Sequence, residues 1–98
     1  MKWLQCLENA KRIRWVDRLN SGRVGGIRLC RSGTTDIYVI LNNGGMVWIE
    51  VKSKGNKLRP SQEEFRRKID KLPNHFHFVV ESLDELMLNL NMLIKIGV

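Results

Sequence analysis

A chain of 98 residues that is 43% hydrophobic and 28% charged, with two prolines, has the composition of an ordinary folded protein; disordered and fibrous classes are excluded, and a single domain over residues 1–98 is expected. At this length folding buries about two thirds of the unfolded surface, enough for one core. Seventeen Lys and Arg against ten Asp and Glu give a formal net charge of +7, which suits a polyanionic partner, nucleic acid before an anionic membrane surface.

No apolar stretch approaches the roughly 20 residues that span a bilayer, and the N-terminus shows no signal-peptide pattern, so a cytoplasmic protein without a membrane partner is expected. Cys6 and Cys30 lack zinc-ligand or CxxC spacing and read as small buried hydrophobes.

Trp3, Cys6, Leu7, Ala10 and Ile13 recur at offsets of three and four and predict an amphipathic helix over 2–14, with Lys2, Lys11, Arg12 and Arg14 on its other surface. Short strands are expected near Val16–Leu19 and Val24–Leu29, with Ser21-Gly22 and Gly25-Gly26 as turn signals. Asp36–Leu41 and Met46–Lys52 are rich in β-branched and aromatic residues, and Asn42-Asn43-Gly44-Gly45 between them has hairpin chemistry.

A helix should begin at Pro60-Ser61, where Ser61 and Glu64 are spaced as a capping box, and should bury a stripe of Gln62, Phe65, Ile69 and Leu72. Pro73-Asn74 ends it and Phe76–Val80 reads as a strand. Ser82 with Glu85 caps a final helix whose stripe is Leu83, Leu86, Met87, Leu90, Leu93 and Ile94. The order, helix, about three strands, helix, strand, helix, predicts an α/β (α+β) domain with helices packed on one mixed sheet.

Alternation along a strand puts Glu50 and Lys52 on one face, with Val47, Ile49 and Val51 on the other. Glu-x-Lys alone is weak, since six Glu and eight Lys yield about 0.5 such triplets by chance, and a solvated ion pair is the bland explanation. Three features add weight. Glu50 follows an apolar run in mid-sheet, where an unpaired carboxylate is costly and a divalent cation would relieve it. A three-residue loop, Asn42-Asn43-Gly44 with Gly44 left-handed, would set Asp36 opposite Glu50, close enough to share a hard metal ion, whereas a register shifted by one would turn Asp36 to the wrong face. Gln62 interrupts an apolar stripe, and an inward amide needs a partner.

Gly33-Thr34-Thr35-Asp36, Trp48-Ile49-Glu50-Val51-Lys52 and Leu58-Arg59-Pro60-Ser61-Gln62, in that order, resemble the virus-type replication-repair nuclease (VRR-NUC) family of the PD-(D/E)XK superfamily; the similarity runs from about Arg18 through Leu86. The resemblance implies an α-β-β-β-α-β-α restriction-endonuclease-like core and a metal-dependent DNA endonuclease. It implies Mg²⁺ or Mn²⁺ at Asp36, Glu50 and Val51, with Lys52 positioning or activating the attacking water, Gln62 supporting the site and Glu8 as the family's N-terminal acidic residue. No organic cofactor is implied. Thr35 stands where the family commonly has proline, which sets backbone geometry rather than chemistry. The family's stand-alone viral members resemble dimeric resolvases of four-way junctions, so branched DNA and a homodimer are expected partners.

Leu88, Met92 and Ile96 form a second apolar row that suits a subunit interface as well as a covered core. Arg12, Arg14, Arg18, Arg23, Arg28, Arg31, Lys54, Lys57 and Arg59 are expected around the cleft, and His75 and His77 on one strand face without a third ligand. Trp3, Trp15 and Trp48 read as core. Beside the nuclease stand two other readings: a non-catalytic nucleic-acid-binding protein, and a partner-dependent subunit of a replication or repair complex.

Overall fold

A computed structural model describes residues 2–19, 23–24, 27–28 and 33–95, with the backbone alone at 23–24, 27–28 and 95. The elements are α1 (Lys2–Asn9), β1 (Trp15–Arg18), β2 (Arg23–Val24), β3 (Ile27–Arg28), β4 (Ile37–Ile40), β5 (Met46–Val51), α2 (Pro60–Asp70), β6 (His75–Val80) and α3 (Leu83–Lys95). A four-stranded mixed sheet has the order β1-β4-β5-β6, antiparallel except for the parallel β5–β6 pair, which α2 connects. Where a strand was expected at Val24–Leu29, the described residues form two short strands, β2 and β3, which pair with each other; Gly25, Gly26 and Leu29 lie outside the described residues.

The hairpin fixes the register. Gly44 has φ +90°, and Leu41 N–H donates to the Gly45 carbonyl at 2.8 Å, so Asn42-Asn43-Gly44 is the three-residue loop. Ile40 then faces Met46 and Ile37 faces Ile49, and one step further Asp36 faces Glu50.

The two sheet faces differ. Ile37, Val39, Val47, Ile49 and Val80 join Leu4, Leu86, Leu90 and Leu93 of α1 and α3 in the apolar core. On the other face, Trp48 packs edge-on against Phe65 of α2, with ring centroids 5.4 Å apart, and Phe65 also meets His77. Glu50 emerges on this second, more polar face.

Helix ends depart from simple periodicity. α1 stops at Asn9, with Lys11 left-handed at φ 60°; Leu4 is its buried residue, and Cys6 and Ala10 are exposed. Left-handed Lys11 closes the helix: its N–H donates to the Glu8 carbonyl (3.0 Å) and the Arg12 N–H to that of Leu7 (2.8 Å), and the Asn42 amide then holds the Lys11 (3.0 Å) and Arg12 (3.2 Å) carbonyls. Cys30 lies outside the described residues. Arg59, not Ser61, is the N-cap of α2, because Pro60 takes the first helical position and its missing N–H costs nothing there. The third helical position is then Gln62, and its Oε1 accepts the Arg59 N–H at 2.8 Å.

Ser82 caps α3 as expected, its Oγ accepting Glu85 N–H at 3.2 Å, while the Glu85 carboxylate takes the N–H of Glu81. Leu72 falls beyond the end of α2 and is exposed, as is Leu83, on the first turn of α3. No helix among the described residues is long and apolar enough to cross a membrane.

Candidate functional site

The end of β4 and β5 away from the hairpin brings Asp36, Glu50, Lys52 and Gln62 together. The ladder ends at Ile37–Ile49, and hydrogen-bonded pairs alternate along it from Leu41–Gly45, so its continuation by one residue sets Asp36 against Glu50 in the non-hydrogen-bonded position, the arrangement with the closer side chains. The Asp36 carbonyl accepts the N–H of Leu19 at 2.8 Å and its Oδ2 accepts that of Val51 at 3.2 Å, which ties the acid to both neighbouring strands. Thr35 is buried, and its hydroxyl donates to the Ile37 carbonyl at 3.4 Å, so a side-chain bond braces the turn where proline is common in the family.

Glu50 is 3% exposed. Its Oε1 accepts Nε2 of Gln62 and lies 3.9 Å from Nζ of Lys52. Gln62 thus spends both ends of its amide, one on the backbone of Arg59 and one on Glu50, which accounts for a polar residue in the inward stripe. Oε2 of Glu50 is buried without a hydrogen-bond partner. Burial and the neighbouring Asp36 carboxylate push the Glu50 pKa upward, against the opposing pull of Lys52, the hydrogen bond at Asp36 and Arg59.

An orphaned carboxylate oxygen beside a second carboxylate, with charge that is costly to bury, fits a divalent cation. The donors are all oxygens, which suits a hard divalent ion. Val51 can offer only its backbone carbonyl, which by strand alternation faces the β4 side of β5 together with its N–H. Among the described residues no three His, Cys, Asp or Glu side chains converge, so two carboxylates and a carbonyl would leave room for waters and a phosphate.

Glu8 is not brought to this group. One of its carboxylate oxygens accepts the N–H of Val16 on the outer edge of β1 at 2.8 Å, and Val16 pairs with Val39, three residues or about 10 Å along β4 from Asp36. Arg12 and Arg14 also lie elsewhere. β1 runs from Trp15, opposite Ile40, to Arg18, opposite Ile37, so Arg18 is at the acidic end and the other two are at the hairpin end. Arg31 lies outside the described residues. Arg59 was legible only as one basic residue among many; its position immediately before Pro60 and three before Gln62 is the signal that makes it the helix cap beside Glu50.

His75 and His77 share the α2 face. His75 Nδ1 accepts Nε1–H of Trp48 at 3.2 Å, a packing role, while Nδ1 of His77 is buried and unpartnered. Burial, then the charge of Arg66, lower the His77 pKa, partly offset by Asp70. The folded state therefore keeps His77 neutral where the unfolded chain takes up a proton. The associated stability is complete above pH 6.5, the ordinary value, and is lost as pH falls from there through the depressed folded pKa. Unfolding free energy should drop between pH 7.5 and 5.5 by at most about 1.4 kcal/mol per pH unit for one proton, read as a falling thermal midpoint, and His77→Gln should flatten that slope.

An α-β-β-β-α-β-α core with a mixed sheet, an opposed Asp–Glu pair and a lysine two residues beyond the Glu defines a PD-(D/E)XK-like nuclease fold. The family model of the VRR-NUC domain matches residues 1–82, and the chain belongs to that family of nuclease domains. No curated protein and no solved structure matched it.

Proposed function

We propose that the protein is a divalent-metal-dependent endodeoxyribonuclease that hydrolyses phosphodiester bonds in branched DNA, four-way junctions in particular, as a symmetric homodimer. The observation that carries the metal-dependent chemistry is the buried, unpartnered Oε2 of Glu50 opposite Asp36. Asp36, Glu50 and the Val51 carbonyl would hold the cation, which would supply a water of lowered pKa and neutralise charge on the phosphate.

The remaining work falls to side chains of the chain. Gln62 and Lys52 both engage Oε1 of Glu50, which leaves Oε2 as the free oxygen. Lys52, partly exposed beside Glu50, orients the attacking water and stabilises the charge that develops on the phosphate oxygens. Asp36 is exposed and Glu50 is not, so the phosphate approaches from the Asp36 side.

Leu88 and Met92 on α3 are 63% and 61% exposed and support a subunit interface, which a two-fold dimer would use to place two active sites for paired cuts. The row's third member, Ile96, lies outside the described residues.

The test is cleavage of four-way junction, flap and linear duplex DNA in Mg²⁺ or Mn²⁺, together with sedimentation of wild type and Leu88→Glu. Paired symmetric cuts in the junction, and a dimer that the substitution dissociates, are expected. Cleavage of linear duplex alone by a monomer would overturn the substrate and assembly, while DNA binding without cleavage of any substrate would point to a binding protein or partner-dependent subunit.

A further inference from the structure

Trp15 departs from its reading as a core residue. It is 50% exposed and lies opposite Ile40, so it stands on the same sheet face as Asp36 and Glu50, four residues or about 13 Å along β4 from the acidic pair. α2 packs over β6, and among the described residues no helix packs against the β1–β4 side of that face. Among the described residues, the strip of this face between Asp36 and the indole is formed by Tyr38 and Ile40 of β4 and by Asp17 of β1, which lies opposite Tyr38.

The turn preceding Trp15 carries Lys11, Arg12 and Arg14, all exposed and none in an ion pair among the described residues. This turn is held firmly. Lys11 N–H donates to the Glu8 carbonyl (3.0 Å), Arg12 N–H to that of Leu7 (2.8 Å) and Arg14 N–H to that of Ile40 (2.9 Å), and the Asn42 amide holds the Lys11 and Arg12 carbonyls. Lys11 also occupies a left-handed conformation that glycine would adopt at less cost. That conformation, with the N–H groups of Lys11 and Arg12 bonded back to Glu8 and Leu7, is the ordinary left-handed close of a helix and fixes where the Lys11 side chain leaves the backbone. Glu8 lines the same cleft, leaving the four charges at +2, and its carboxylate is engaged by Val16 N–H.

We infer that Trp15, Lys11, Arg12 and Arg14 form a second nucleic-acid contact, in which an unstacked base seats on the indole and the flanking phosphates meet the three cations. The pairing of a basic patch with an exposed aromatic ring is the chemistry of single-stranded nucleic acid, and a membrane or acidic protein surface gives no reason for the ring to share a face with the acidic pair. Resting on the nuclease reading for the position of the cut, the 13 Å separation spans at most about four nucleotides, counted at the 3.4 Å rise of a stacked strand, and fewer where the strand is unstacked. The substrate would then carry an unpaired base, as at a branch point, about that far from the scissile phosphate.

Binding of a labelled four-way junction, read by anisotropy in chelator across a salt series, tests this for wild type, Trp15→Ala, Arg12→Ala/Arg14→Ala and Lys11→Gly. Trp15→Ala should weaken binding about fivefold or more, and the double arginine variant should lower the salt slope by about two. Lys11→Gly is the control against misfolding, because glycine suits φ 60°: its thermal midpoint should hold or rise while affinity falls. Wild-type affinity and salt slope in all three variants would overturn the inference, as would variants that lose only binding to anionic phospholipid vesicles. Because the metal is chelated throughout, failure here leaves the cleavage reading intact, and failure of cleavage leaves this result standing.

Discussion

Glu50→Gln should abolish cleavage and stabilise the protein at neutral pH in chelator. On the proposed reading the carboxylate is a metal ligand, and its loss should lower activity on the order of a thousandfold or more. Stability moves the other way, because Glu50 is buried with an orphaned oxygen and a raised pKa. A carboxyl whose folded pKa is raised contributes stability that is complete below its unfolded value of 4.5 and is lost as pH rises through the folded pKa, so at neutral pH its charge is a burden.

The introduced amide keeps an oxygen for Gln62 and gains an NH₂ that Asp36 can accept. A gain of about 1 kcal/mol, or about 4–8 °C in the thermal midpoint, is expected. Mg²⁺ or Mn²⁺ should raise the midpoint of wild type more at pH 7 than near pH 4.5, and should barely move that of the variant. A variant less stable than wild type in chelator would show that the Glu50 charge is satisfied by the protein alone.

Gly33→Ala should be the most damaging change outside the acidic pair. Gly33 has φ +93°, and a Cβ there would stand 2.7 Å from the carbonyl carbon of Ser61 in the first turn of α2. The backbone strain and the collision add to about 2–5 kcal/mol of destabilisation, a fall of roughly ten degrees or more in thermal midpoint. The contact also sets how closely the strand bearing Asp36 approaches the helix bearing Gln62. Activity should therefore fall even where the variant is fully folded, and Gly33→Ala with wild-type stability and cleavage would remove this contact from the account.

Much of the sheet was legible because its determinants are local. Asn42-Asn43-Gly44 closes a three-residue loop only if Gly44 is left-handed, and that loop sets every pair down to Asp36 and Glu50. Gln62 was legible as a polar residue in an apolar stripe, though its second bond, to Arg59, follows from Pro60 shifting the cap by two residues relative to Ser61.

The end of α1 was not legible. Apolar periodicity continues to Ile13, but the helix closes on a left-handed Lys11, and Asn42, 31 residues away, then holds the Lys11 and Arg12 carbonyls. A lysine gives no signal of that conformation such as glycine or asparagine would give. Cys6 and Ala10 are exposed, Ile13 is a buried residue of the connection after the helix, and Glu8 lies on the β1 edge. Basic residues close in sequence therefore occupy opposite ends of the sheet, Arg18 at the acidic pair and Arg14 at the hairpin.

The most direct test is cleavage of a labelled four-way junction by wild type and Lys52→Ala, side by side in Mg²⁺, Mn²⁺ and chelator, with the metal-induced shift in thermal midpoint recorded for both. The account predicts cuts by wild type that vanish in chelator, a loss of about 10²–10³-fold in Lys52→Ala, and a metal-induced shift that survives in the variant. Cleavage that persists in chelator, or that Lys52→Ala leaves at the wild-type rate, would contradict it.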